Sequence, residues 1–196
     1  MAGKPRARLD KSAVLRAAVE LLDTEGVQAL TLSRLAGKLS IQTPSLYNHV
    51  DGLAGLQQDL AILNASLLAD RLTEAAIGRS GQELLLSAAQ AFRDYVKEHP
   101  GLYLSTLRSS GTQQILDPRL QQEEERILKV GMAMMSSLGL QGEEAIHGLR
   151  AFRSMVHGFA SLEVAGGFGL PEDCDESFRR MTLALMTGLI SSKGDA

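Results

Sequence analysis

The chain of 196 residues contains no tryptophan, and with three Tyr and five Phe its aromatic share is only 4%. A core without large rings has to be built from Leu, Ala, Met and Val, a set that leans towards helix. A single cysteine, Cys174, excludes an internal disulfide and suits a reducing compartment. No apolar run reaches the roughly 20 residues of a membrane-spanning helix. The basic opening stretch MAGKPRARLDK leads into no apolar segment, so a secretory leader is not expected. Strand-like alternation is missing throughout, and so is any internal repeat. With 44% hydrophobic residues there is nonetheless ample material for a core. These absences leave a soluble, cytoplasmic, all-α protein of about nine helices.

The net charge of −3 hides an asymmetry. Residues 1–50 hold seven Lys/Arg against four Asp/Glu, whereas the remainder holds 13 against 19. A basic end on an acidic body suits a polyanionic partner for that end alone, although solvated terminal cations give the same count. Helical periodicity runs through Val14, Leu15, Ala18, Leu21 and Leu22 and stops at Gly26. Further helices are expected from Asp51 to about Ile77, from about 81 to 98, from Pro100 through Leu107, and over about 118–138, 143–166 and 174–191.

Residues 31–50 read TLSRLAGKLSIQTPSLYNHV. Two short apolar-patterned segments flank the turn Ser40-Ile41-Gln42-Thr43, and helices of two turns are not stable alone. Thr31 is placed to cap the first, with Leu32, Leu35, Ala36 and Leu39 inward; Thr43-Pro44 reads as a cap followed by proline at the first helical position. Leu46 and Val50 then share one face. This is a helix-turn-helix, whose second helix enters the major groove. Both short helices lean on the helix before them and the start of the one after.

Ala36, Ile41 and TPSLYNHV, with its Leu-Tyr-x-His spacing, resemble the tetracycline-repressor (TetR) family over roughly residues 10–60. Farther on, RAFRSMVHGFASLEVAGGFG resembles a subset of that family with a Trp-His-Gly signature, Val156 standing in the Trp position before His157 and Gly158. Ser40 occupies the turn position where the family usually has Gly. Leu53 stands where it often has a phosphate-binding Lys, which shifts phosphate attraction towards Lys4, Arg6 and Arg8. The resemblance implies a DNA-binding domain over 1–50 and a ligand-binding and dimerisation domain over 51–196.

Within the first domain, Tyr47 and His49 are expected to donate to phosphates, as their counterparts do in the family; packing of the three-helix unit is the alternative for Tyr47. Gln42, Thr43, Ser45 and Asn48 are short polar groups suited to base edges, with capping or simple solvation as the alternatives. Thr31 and Ser33 open the first short helix and could hold a phosphate there, and for Thr31 capping is compatible with that. In the second domain the resemblance places Phe92, Tyr95, Tyr103, Leu107, Met132, Met135, His147, Phe152 and Met155 on the helices enclosing an effector cavity, although side chains at such spacing are often plain core. His147 and His157 also suit hydrogen-bonded core positions. The stripes Ile146, Leu149, Val156 and Phe178, Met181, Leu185, Leu189 suit a two-fold four-helix interface or the chain's own core.

No nucleophile elbow, paired metal motif or glycine-rich phosphate loop is present, so neither enzyme activity nor a cofactor is expected. PEDCDESF gathers carboxylates and a thiol just before a helix, where acids complement the dipole, rather than a metal site. The expected function is a homodimeric regulator of transcription, a repressor released from a palindromic duplex-DNA operator by a small-molecule effector. An architectural DNA-binding protein without ligand response is the alternative.

Overall fold

The computed structural model describes residues 9–107 and 117–191, and Lys4, Arg6 and Arg8 of the expected phosphate-attracting arm lie outside the described residues. Within them are nine α-helices and no strand: α1 (Lys11–Glu25), α2 (Leu32–Lys38), α3 (Thr43–Leu46), α4 (Gly52–Ala76), α5 (Gly81–Glu98), α6 (Pro100–Ser105), α7 (Pro118–Ser137), α8 (Gly142–Val164) and α9 (Cys174–Ser191). None of them is long and apolar enough to cross a membrane. One element escaped the sequence pattern, a 3-10 turn at Val27–Ala29, too short to show a period. The ends follow local chemistry. The Asp10 carboxylate accepts from the Ala13 N–H at 2.7 Å to start α1, and Gly26 ends it at φ 82°.

The chain divides into two compact units: residues 9–64 with 101–107, and residues 65–100 with 117–191. This packing division differs from the expected functional one at residue 50. Continuous α4 crosses the boundary, its Leu56 and Leu60 are buried, and its Asp59 carboxylate stands 2.7 Å from Lys11 Nζ of α1. From Gly101 on, the short α6 belongs to the first unit as well. That unit buries Val14, Ala18, Leu21, Leu22, Leu35, Ala36, Leu46 and Val50, each large aliphatic side chain contributing about 2 kcal/mol of apolar transfer.

In the second unit α5 packs on α7, α8 and α9. Small residues let helices close in: a Cβ on Gly131 would stand 2.6 Å from Leu149 Cδ1, and one on Gly148 2.7 Å from Met135 Sδ. Val156 and Phe178, candidates for a subunit interface, are buried in this chain's own core.

The core also holds a charge. Arg93 of α5 has no solvent exposure. Its Nε and Nη2 donate to the two carboxylate oxygens of Glu163 on α8, both at 2.7 Å. Its Nη1 lies 2.8 Å from Asp175 Oδ1 on α9, an ionic contact without hydrogen-bond alignment. The rings of Phe159 and Phe178 lie 5.4 and 5.0 Å from the guanidinium carbon. Lys97 adds a contact of 2.8 Å to Glu163. Hydrogen bonding from Arg93 holds the Glu163 carboxyl below its ordinary range, against the opposing effect of burial.

Glu163→Gln is expected to cost about 3 kcal/mol at pH 7, because it leaves a buried guanidinium undercompensated. Chemical denaturation measures this. The Glu163 contribution is whole above the unfolded carboxyl pKa and is lost as pH falls through the lowered folded value. The gap between wild type and variant should therefore narrow in acid.

Candidate nucleic-acid interface

The site begins with a cap. The Thr31 hydroxyl accepts from the Arg34 N–H at 3.2 Å and starts α2, whose Leu35 and Ala36 are buried. Two backbone bonds close α2: Ser40 N–H to Gly37 O and Ile41 N–H to Ala36 O, both at 3.0 Å. That pair is a Schellman closure, which requires a left-handed residue, and Ser40 supplies it at φ 54°. A serine there carries backbone strain that a glycine would not.

The second short helix starts one residue earlier than expected. Gln42 is its N-cap, without a side-chain hydrogen bond, so Thr43 is the first helical residue and not the cap, and Pro44 is the second. Proline is tolerated there because the first four N–H groups of a helix have no intrahelical partner. Beyond Leu46 the backbone continues in tight turns, with Tyr47, Asn48 and His49 N–H groups donating to Pro44, Ser45 and Leu46 carbonyls at 3.3, 3.4 and 2.8 Å. Leu46 and Val50, at 0% and 4% exposure, fasten this segment to the core.

What remains outside is a polar row. Gln42, Asn48 and Tyr47 are exposed, and Thr43, Ser45 and His49 are half-buried. Tyr47 is 60% exposed, so it does not fill the core of the unit, which was the alternative for it. Ser33 and Thr31 are exposed at the start of α2. The structure thus keeps all eight expected DNA-binding residues on residues 31–49 with accessible surface. Nearby cations are engaged within the unit: Arg34 pairs with Glu25, and Lys38 Nζ lies 2.9 Å from Glu20. Such exposed pairs are worth little and open readily towards a phosphate.

The nine expected cavity residues divide between the two units. Phe92, Tyr95, Met135 and Phe152 are buried in the second unit, and Met132 and Met155 are half-buried there. Tyr103 and Leu107 fall in the first unit, Leu107 being 38% exposed. His147 is exposed, which corrects the reading of it as a hydrogen-bonded core residue, because α8 turns Glu143, Glu144, Ile146, His147 and Arg150 outward. His157 is half-buried. An open cleft of ≈ 670 Å³ lies between α5 and the start of α9, walled by Arg79, Glu83, Gln90, Asp175, Phe178 and Arg179. In PEDCDESF the carboxylates serve the helix start: Asp173 Oδ1 accepts from the Asp175 N–H at 2.8 Å. Hydrogen bonds from Arg179 and Arg180 hold the Glu176 carboxyl down at about 2.

Sequence reasoning passed over Arg93 and Glu163. The signal was present: each stands in an apolar register, Arg93 four after Ala89 and Glu163 four after Phe159, with opposite charges.

Residues 85–185 match the family described as Tetracyclin repressor-like, C-terminal domain. The chain is 32% identical over 187 residues to the uncharacterized HTH-type transcriptional regulator YobS of Bacillus subtilis, covering 95% of each. It is 34% identical over 185 residues to the uncharacterized HTH-type transcriptional regulator Rv0681 of Mycobacterium tuberculosis, covering 93% of this chain and 83% of that one. In fold it is similar to a TetR variant from Acinetobacter baumannii AYE crystallised in complex with minocycline, with a TM-score of 0.67 at 24% identity over 92% of this chain and 96% of that one.

Ser40→Gly is expected to stabilise the protein by about 1 kcal/mol, by relieving the left-handed strain. A shift of the urea midpoint to higher concentration at unchanged slope would show it, and a lower midpoint would refute it.

Proposed function

The chain belongs to the tetracycline-repressor family of helix-turn-helix transcriptional regulators, and we propose that it works as a dimeric repressor that leaves its operator when a small molecule binds. The observation that carries the reading is the accessible polar row of residues 42–49, with Gln42, Tyr47 and Asn48 exposed, on a segment fastened by Leu46 and Val50. In this reading Tyr47, His49, Thr31 and Ser33 hold phosphates and fix the docking register. Gln42, Thr43, Ser45 and Asn48 address base edges, Gln and Asn pairing with adenine and the Thr methyl touching thymine. Residues 1–50 supply the DNA contacts and 51–196 the effector site and dimer face. The family of regulators gives no reason to assign catalysis, and operator binding places the protein in the cytoplasm.

A single reading head buries too little surface for tight specificity, so two are required, about one DNA turn apart. The outward faces of α8 and α9 suit the dimer: Gly158 and Gly188 have open space where a Cβ would stand, and Ala184 and Thr187 beside Gly188 are exposed. In this reading the chain is a member of the Trp-His-Gly subset in which Val156 takes the Trp position; His157 and Gly158 support it. The effector site draws on Phe92, Tyr95, Met132, Met135, Phe152 and Met155. An effector that prefers a conformation mismatched to the half-site spacing lowers operator affinity by its differential binding free energy.

Selection from a random duplex library by the full chain, at near-physiological salt, tests the reading. A two-fold palindrome is expected; DNA bridging without an enriched motif would favour the architectural alternative. On the selected operator, Tyr47→Phe should weaken binding about fivefold for every single-base variant alike. Gln42→Ala and Asn48→Ala should alter preference at particular base pairs, each contact being worth about 1–3 kcal/mol of discrimination; uniform losses would remove them from the reading set. Gly188→Arg should convert the dimer to monomer in sedimentation experiments, and an unchanged dimer would move the interface elsewhere.

A further inference from the structure

The first unit contains a segment that no helix-turn-helix pattern includes. Gly101 lies directly against the end of α1: a Cβ there would stand 1.9 Å from the Leu22 carbonyl oxygen, 2.2 Å from its carbon and 2.8 Å from the Asp23 nitrogen. Those are backbone atoms, so they have no rotamer by which to yield. One residue on, the Leu102 N–H donates to the Asp23 carboxylate at 2.9 Å. Asp23 thereby satisfies, from another helix, one of the N–H groups that α6 leaves open at its start. Leu102 and Tyr103 are 0% and 3% exposed, so the segment is packed in.

The contact falls where α1 hands over to the DNA-reading elements. The same Leu22 carbonyl accepts the Gly26 N–H at 2.9 Å and closes α1. From Gly26 the chain passes through the 3-10 turn to Thr31 and α2. At the opposite end of α1, Lys11 is held by Asp59 of α4. Helix α1 is therefore fixed at both ends, and its far end sets the direction in which residues 31–49 leave.

We propose that α6 is a working part of the reading head, and that Asp23 and Gly101 are positioning residues for DNA binding. The inference rests on the reading of residues 31–49 as the DNA-contacting surface. Loss of the Asp23 bond frees the end of α1 and misaligns phosphate and base contacts together, so affinity falls without a change in sequence preference.

Gly101→Ala is too harsh a probe to stand alone, since the added Cβ collides with backbone and the unit then fails to fold. Asp23→Ala and Asp23→Asn, in the full chain, separate positioning from folding, because the amide oxygen of Asn still accepts the Leu102 N–H. On the operator selected by wild type, Asp23→Ala is expected to bind about tenfold more weakly at every single-base variant, and Asp23→Asn within about twofold of wild type. Hydrogen exchange without DNA should speed up at Leu102 and across residues 32–46 in the Ala variant only. A folded Asp23→Ala that binds as wild type overturns the inference, as does an Asn variant as weak as Ala. If wild type selects no DNA, the DNA-reading premise falls instead, and unchanged exchange at residues 32–46 in Asp23→Ala would separately overturn the positioning role.

Discussion

A guanidinium with no access to solvent has to be neutralised where it lies, and in this protein that requirement reaches across three helices. Arg93 on α5 takes both oxygens of Glu163 from α8 and the carboxylate of Asp175 from α9, with the guanidinium carbon over the rings of Phe159 and Phe178. Apolar contacts alone tolerate small slides of one helix along another. A planar cation held in this way does not, because a slip of one turn would leave a buried charge with no counterion. The register of α5, α8 and α9 is thus set by one side chain, while the surrounding Leu, Ala, Met and Phe supply the bulk of the burial energy.

The smaller unit is organised by backbone geometry. Its closures come from the Thr31 cap, the left-handed Ser40 and the approach of Gly101 to Leu22. Each determines where a short element points, which matters more here than how firmly it holds. Residues 42–49 have one helical turn followed by tight turns, too little to be stable without Leu46 and Val50 beneath them. Their polar side chains are left free of internal duties because the fastening is done from the other side.

The helices themselves were legible in the sequence because the information is local. Asp10, Thr31, Gly26 and the 3.6-residue spacing of Val14, Ala18, Leu21 and Leu22 act within a few residues, and the expected ends of α5, α7 and α9 agree closely with the observed ones. The polar row of the reading segment was equally plain. Nonlocal matters were not. Nothing near Asp23 in sequence announces that it serves a helix 79 residues away. Periodicity also does not say which neighbour a stripe faces, so the sequence leaves Val156 and Phe178 open between a subunit interface and the chain's own core, and the fold uses them inside. Thr43 was misplaced by one residue because a threonine before proline satisfies the cap pattern whether or not its hydroxyl is used.

The chain enters its smaller unit twice, once over residues 9–64 and again over 101–107. This makes the module non-contiguous along the gene. A chimera that transplants only the first stretch onto the body of a relative would bring Asp23 and the tightly approached Leu22 carbonyl to a foreign partner, where any residue but glycine collides. Recombination between members of such a lineage is therefore constrained at two distant places at once, and exchange of specificity is easier by point changes on residues 42–49 than by swapping the head whole.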